Sequence, residues 1–291
     1  MPQKKAHQAL PSTRTVLTEI AQLLRENALK ILILLSIISI LSYFIPSYVN
    51  FGAASISIQK LGFLGTSETQ TASVATWIAM LLTSLILLVT NLAFIAYYNI
   101  VLILATAGPA KKSLSTILLE GVPLVLPYLT TAALFLVLFI GGLGFFIIPG
   151  LLFIILFTLF DQVVIFGKER NSAALTTAAT LFWRNKSFVF RYLVISALVV
   201  VSISVINTQA YSYMQSLEQQ AVTAVARFFN IFMQAAAGTI MTATSIVVYR
   251  HIVRRTDLDN TMNLTWIKVM VVIGLLLVGL LATGYLMSIA V

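Results

Sequence analysis

Seven apolar stretches separated by short polar segments account for most of this chain: Ala28–Ile45, Val74–Leu104, Leu124–Ile140, Phe145–Phe166, Leu193–Ile206, Ala221–Val248 and Trp266–Ala290. A helix needs roughly 20 apolar residues to cross about 30 Å of hydrocarbon. The pattern therefore predicts an all-α fold, a polytopic transmembrane helical bundle of about seven spans. Six would follow if one run lay in the interface. The fifth stretch is short, and the second would extend roughly 45 Å as a straight helix, so it must tilt, kink or protrude. Residues 1–27 read as a cytoplasmic N-terminal amphipathic segment, and 28–290 as one transmembrane domain.

The polar segments carry a helical period of their own. Val16, Leu17, Ile20, Leu23, Leu24 and Ala28 fall on one stripe, as do Ala174, Leu175, Ala178, Leu181 and Phe182, with Asn171 as a cap. Ser113–Glu120 reads as a shorter helix bearing Leu114, Ile117 and Leu118. Each precedes a span, which predicts amphipathic helices lying on the inner membrane surface and hints at a repeated unit. On the other side, Pro46–Ser73 forms the longest connection, and Gly141-Gly142-Leu143-Gly144 predicts a tight hairpin between the third and fourth spans.

Charge fixes the expected sidedness. The chain has 291 residues, of which 59% are hydrophobic and 9% charged, with a net charge of +9. Soluble domains are nearer a quarter charged, so lipid must replace the missing polar surface. Of the 18 Lys and Arg residues, 16 fall on alternate connections: Lys4 to Lys30, Lys111-Lys112, Lys168 to Arg191 and Arg250 to Lys268. Only Lys60 and Arg227 fall on the other side. The positive-inside rule then places the N-terminus in the cytoplasm and the C-terminus outside. The expected partners are membrane lipids, with anionic headgroups at the cytoplasmic face. Nucleic acid is not expected, because the basic residues flank apolar runs. The 27 or so polar or amphipathic residues before the first span are too many for the n-region of a cleaved signal peptide.

Few residues carry candidate chemistry. Asp161 lies within the fourth stretch, where a carboxylate is costly unless paired or hydrated. It is either a proton or cation site, or an interfacial residue paired with Lys168 or Arg184. Arg227, near the outer end of the sixth span, either binds an anionic substrate or lipid, or snorkels to the outer headgroups. Ala235, Gly238, Thr239, Thr242 and Ser245 make a small, weakly polar face suited to helix packing or to lining a water path. Asn91, near the middle of the second span, is expected to bond a neighbouring helix. Pro149-Gly150 reads as a helix start or as the break of a discontinuous helix.

The absences also narrow the function. There is no cysteine, and the two histidines, His7 and His251, lie outside the apolar runs. Disulfides and thiolate chemistry are excluded. No metal-ligand cluster, intramembrane Ser–His arrangement or phosphate-binding glycine motif is present. No catalytic residue, cofactor or metal is expected.

Residues 141–190, GGLGFFIIPGLLFIILFTLFDQVVIFGKERNSAALTTAATLFWRNKSFVF, combine an apolar run, Pro149-Gly150, a span, a short polar turn, an Ala-rich helix and an aromatic–basic segment. This stretch resembles an uncharacterised bacterial multi-pass membrane family that includes the membrane domain preceding glycerophosphodiester phosphodiesterase catalytic domains. The likeness spans about residues 10–250 in layout. It implies an inner-membrane helical bundle, with no hydrolase activity or catalytic residue carried over. The expected function is that of a non-enzymatic integral membrane protein contacting lipids or partner proteins in the envelope; the alternative is a transporter or permease for a small or lipidic substrate.

Overall fold

A computed structural model describes residues 11–44, 74–109, 111–145, 147–216 and 220–256, with helical positions at 269, 272–277, 279, 280 and 283. All regular structure among these residues is helical. The Pro46–Ser73 connection, Lys60 and His7 lie outside them, as does most of the Trp266–Ala290 stretch.

Helix α1 (Thr13–Glu26) starts at Ser12, whose hydroxyl accepts from Thr15 N at 3.2 Å. Such a cap satisfies one of the amides left open at a helix start. Val16, Ile20 and Leu23 turn inward at helical spacing, as the apolar stripe predicts. They pack into a core shared with later helices, so α1 docks onto the bundle by its apolar face. Asn27 separates α1 from α2 (Ala28–Phe44). The chain returns through the 34-residue α3 (Val74–Ala107).

A set of side chains closes the end of α3. Asn27 Nδ2 donates to Thr106 O at 3.1 Å, Arg250 to Ala107 O at 2.7 Å and Lys30 Nζ to Pro109 O at 2.8 Å. The last carbonyls of a helix have no amide partner and carry its negative pole, so cations and amide donors are favoured there. Lys30 and Arg250 thus bond protein carbonyls, a role that the charge count alone does not reveal.

The short α4 (Leu114–Gly121) lies against α3, with Tyr97 donating to Leu118 O at 3.0 Å. A Cβ at Gly121 would sit 3.1 Å from Val101 Cγ2 and 3.2 Å from Tyr97 Cε2, so the approach suits glycine. Lys112 pairs with Glu120 across α4. A single 3-10 turn at Val122–Leu124 leads into α5 (Val125–Phe145). The helix runs on through Gly141-Gly142-Leu143-Gly144, where the glycine run predicts a hairpin. Both buried glycines, Gly141 and Gly142, are helical, so the glycine run does not end the helix.

Helices α6 (Ile147–Leu156) and α7 (Phe160–Phe166) replace the single predicted fourth span. Helix α8 (Asn171–Arg184) follows, then α9 (Lys186–Gln215) and α10 (Gln220–Val253). The fifth span is longer than the Leu193–Ile206 run because the helix starts at Asn185, at the end of α8. α9 and α10 pair extensively, and α10 also packs on α1, α2, α3 and α7. A C-terminal helical stretch meets α5 at Gly274, where an added Cβ would come within 2.2 Å of Val137 O. Backbones touch there, as small residues permit between membrane helices.

Four segments are long and apolar enough to cross a membrane: Val89–Ala107, Leu114–Leu143, Lys186–Met214 and Val225–Val253. The shorter apolar helices Ala28–Leu41 and Leu152–Phe166 accompany them. Large aliphatic side chains project outward along α2 (Leu29, Leu32, Ile37, Ile40) and α9 (Leu198, Val201, Val205, Ile206). These features are consistent with a membrane location.

Candidate functional site

The fourth apolar stretch is broken three residues ahead of its only carboxylate. Thr158 N donates to Ile155 O and Phe160 N to Phe157 O, each three residues back. The Ile154 and Leu156 carbonyls thereby lose their usual amide donors. No proline or glycine lies at the break. Three large side chains, Phe153, Phe157 and Leu159, are buried around it. Phe157 packs edge-on against Phe135 of α5, with ring centroids 6.1 Å apart. Burying that ring aligns with the change in helix path. Pro149 and Gly150, where sequence would put a break, lie inside α6.

Asp161 is the second residue of α7. Its Oδ1 is enclosed and has no hydrogen-bond partner. The phenol of Tyr128 on α5 faces the carboxyl, and the side chain of Asn99 on α3 lies beside the Tyr128 hydroxyl. Lys168 and Arg184, the partners expected from sequence, are both exposed. Three helices thus bring together one carboxyl, one phenol and one amide. Gln162 Oε1, next in the chain, is also buried without a partner, as are the hydroxyls of Tyr98 and Tyr192.

The other end of α7 is constrained as well. Lys168 and Asn171 adopt positive φ angles of 57° and 54°. Such backbone is uncommon outside glycine and costs of order 1 kcal/mol per residue. Glu169 between them accepts from Thr177 Oγ1 at 2.5 Å, and Asn171 N donates to Thr131 Oγ1 at 2.9 Å. The seven-residue α7 is therefore bounded by a helix break and a strained turn.

The remaining candidates do not join this cluster. Thr239 and Thr242 donate to Ala235 O (2.9 Å) and Gly238 O (3.1 Å), and Ser245 donates to Met241 O (3.0 Å). Their hydroxyls are satisfied within α10, the usual outcome for Ser and Thr in a helix interior. Open space lies over Gly238. Arg227 is exposed on α10. Asn91 is half-buried on α3 and has a partner. Tyr128 and Asn99 were not distinguishable as functional in sequence. Tyr128 follows Pro127 in an apolar run, and only the packing of α5 against α7 brings it to Asp161. Among the described residues, no group of three or more His, Cys, Asp or Glu side chains could hold a metal.

No protein-family model, curated protein or solved structure matches this chain.

Proposed function

We propose that this chain is a seven-span integral protein of a bacterial cytoplasmic membrane. Its N-terminus lies in the cytoplasm and its C-terminus outside, and it acts without catalysis through lipid or partner contact. Its layout is that of the membrane region preceding glycerophosphodiester phosphodiesterase catalytic domains. The observation that carries this reading is the elbow between α8 and α9. Trp183 and Phe190 are exposed there, Lys186 Nζ lies 5.2 Å from the Trp183 ring, and Arg191 is exposed beside them. Aromatic rings next to cations suit the headgroup layer of an anionic leaflet. The outward aliphatic faces of α2 and α9 would meet the acyl chains below.

The test is thermal unfolding of the detergent-purified protein with added anionic or zwitterionic phospholipid. Anionic lipid should stabilise the wild type and lose most of that effect in a K186Q/R191Q variant. Equal responses to both lipids would end the headgroup reading. Single-cysteine labelling at Arg14, Arg170 and Val225 tests sidedness without removing any native thiol, because the chain has none.

A second reading, a permease, is favoured by one feature, the interrupted helix that carries Asp161. Discontinuous membrane helices commonly form ion and substrate sites in transporters.

A further inference from the structure

A lone carboxylate in apolar surroundings must be neutralised, because the charged form loses its hydration without compensation. Among the described residues, the neighbours of Asp161 do not supply a countercharge. Helix α7 packs against α3, α5, α8 and α10. From α5 comes Tyr128, which is neutral. On α3, Tyr97 and Tyr98 precede Asn99, and all are neutral. On α10, Tyr249 is neutral and stacks near Phe166, with centroids 6.0 Å apart. Arg250 is spent on Ala107 O, and His251 on Glu19 at 2.9 Å. The sole cation of α8, Arg184, sits at its far end, about 20 Å along the axis from Asn171. Lys168 follows α7 and is exposed. Glu169, the other nearby acid, faces Thr177.

The surroundings are nonetheless rich in oxygen. Tyr128 and Asn99 supply neutral polar atoms, Asp161 Oδ1 has an unused lone pair, and the break relieves two backbone carbonyls of their amides within two turns of Asp161. Hard oxygen donors with a single negative charge match one unit of positive charge. A divalent ion would need further carboxylates.

We propose that the Asp161–Tyr128–Asn99 cluster, at the break in the fourth apolar stretch, binds a single monovalent cation, either a proton or a sodium-sized alkali ion. This goes beyond the lipid-contact reading, since the ion neutralises a carboxylate with one enclosed oxygen whether or not it crosses the membrane. It gives the permease reading its coupling charge.

The experiment is a melting-temperature series on the full-length protein in detergent. NaCl replaces choline chloride at constant ionic strength, at pH 8 and again at pH 5. A ligand bound only by the folded state raises stability with its concentration. Saturable stabilisation by sodium at pH 8 assigns an alkali ion. Stabilisation by acid alone, with a protonated-carboxyl infrared band, assigns the proton. In D161N, whose amide mimics the neutral form, either response should vanish. Y128F keeps the carboxyl. If the ion is sodium, apparent affinity should weaken about tenfold, the cost of roughly one polar contact. If it is a proton, the midpoint of the acid response should move, because the phenol interacts differently with the charged and neutral carboxyl. If D161N does not fold, Y128F decides. Sodium and pH responses in the variants identical to wild type would overturn the proposal. Equal responses to anionic and zwitterionic lipid would end the headgroup reading and leave this one standing, so the two readings fail separately.

Discussion

Two joints in this molecule are built alike and used differently. Helices α1 and α8 are each 14 residues long. Each ends at an asparagine, and the next helix follows at once. The Asn27 amide donates to Leu23 O at 3.1 Å and the Asn185 amide to Leu181 O at 3.0 Å, four residues back in both cases. Each amide also reaches the end of a 34-residue helix, through Thr106 O at 3.1 Å or Thr256 Oγ1 at 2.9 Å. Leu17, Thr18, Ala21, Leu23 and Asn27 recur 158 positions later as Leu175, Thr176, Ala179, Leu181 and Asn185. Yet α1 buries one face, whereas α8 is buried at Ala174, Leu175 and every position from Thr177 to Phe182. The asparagine fixes the bend, and side-chain size fixes the depth. Where α1 has Val16, Glu19, Ile20 and Gln22, α8 has Ala174, Thr177, Ala178 and Thr180. Small residues let α5, α6, α7 and α9 all pack close to α8.

The sharpest way to break this comparison is to place one substitution at two equivalent positions. Ala21 is exposed and Ala179 is fully buried. A21K should change stability by no more than about 0.5 kcal/mol. A179K would bury an unpaired ammonium and an oversized chain, costing more than about 4 kcal/mol. Recovery of monodisperse protein in detergent reads the difference, and equal yields would show that α8 is as peripheral as α1.

The next largest effect comes from the paired leucines. Leu17 is 45% exposed and Leu175 is 0% exposed. L175A should cost about 3 kcal/mol through the cavity it leaves beside Leu138, Phe153 and Phe157. L17A should cost less than about 1 kcal/mol. Thermal melts of the two variants give the ratio directly.

The parts legible in sequence were those written in hydrophobicity. The period of Val16, Ile20 and Leu23 marks the buried face of α1, and that of Ala174, Leu175, Ala178, Leu181 and Phe182 marks part of α8. The rest of α8 was hidden because Thr177, Ala179 and Thr180 carry little hydrophobicity, and burial of a small residue depends on its neighbours. The break at Phe157–Leu159 carries no glycine or proline, so nothing local announces it. It coincides with Phe157 packing on Phe135, 22 residues earlier. For the same reason Asp161 stood out alone in sequence, while Tyr128 and Asn99 did not. Lys30 and Arg250 read as headgroup ligands by the positive-inside rule, yet both bond the carbonyl end of α3. A charge count records the side on which a cation lies, and only the packing shows what it touches.

The asparagines themselves should differ moderately. Asn27 is 1% exposed and holds two backbone carbonyls that have few other donors. N27A should cost about 2 kcal/mol, including the cost of leaving a buried carbonyl unpaired. Asn185 is less buried, and its partner Thr256 already donates to Ile252 O at 2.9 Å. N185A should therefore cost nearer 1 kcal/mol. Both values come from denaturation midpoints in the same detergent. A larger loss at Asn185 would mean that its bend bears more of the fold's stability than its exposure implies.

The smallest effect falls on a tether that α8 lacks. Glu19 accepts a hydrogen bond from His251 Nε2 at 2.9 Å, joining α1 to the last turn of α10, and both side chains are partly exposed. At the equivalent position α8 has Thr177, which bonds the nearby Glu169. A partly exposed pair contributes little to global stability, under about 1 kcal/mol, and less in salt. E19Q should leave the melting temperature almost unchanged. Its effect should appear as faster amide exchange across residues 13–26, with residues 171–184 unaffected, because a helix held by one face opens locally before the bundle does. Equal acceleration in both helices would show that the two joints move as one unit, and the contrast between a docked α1 and an embedded α8 would then fail at the level of dynamics.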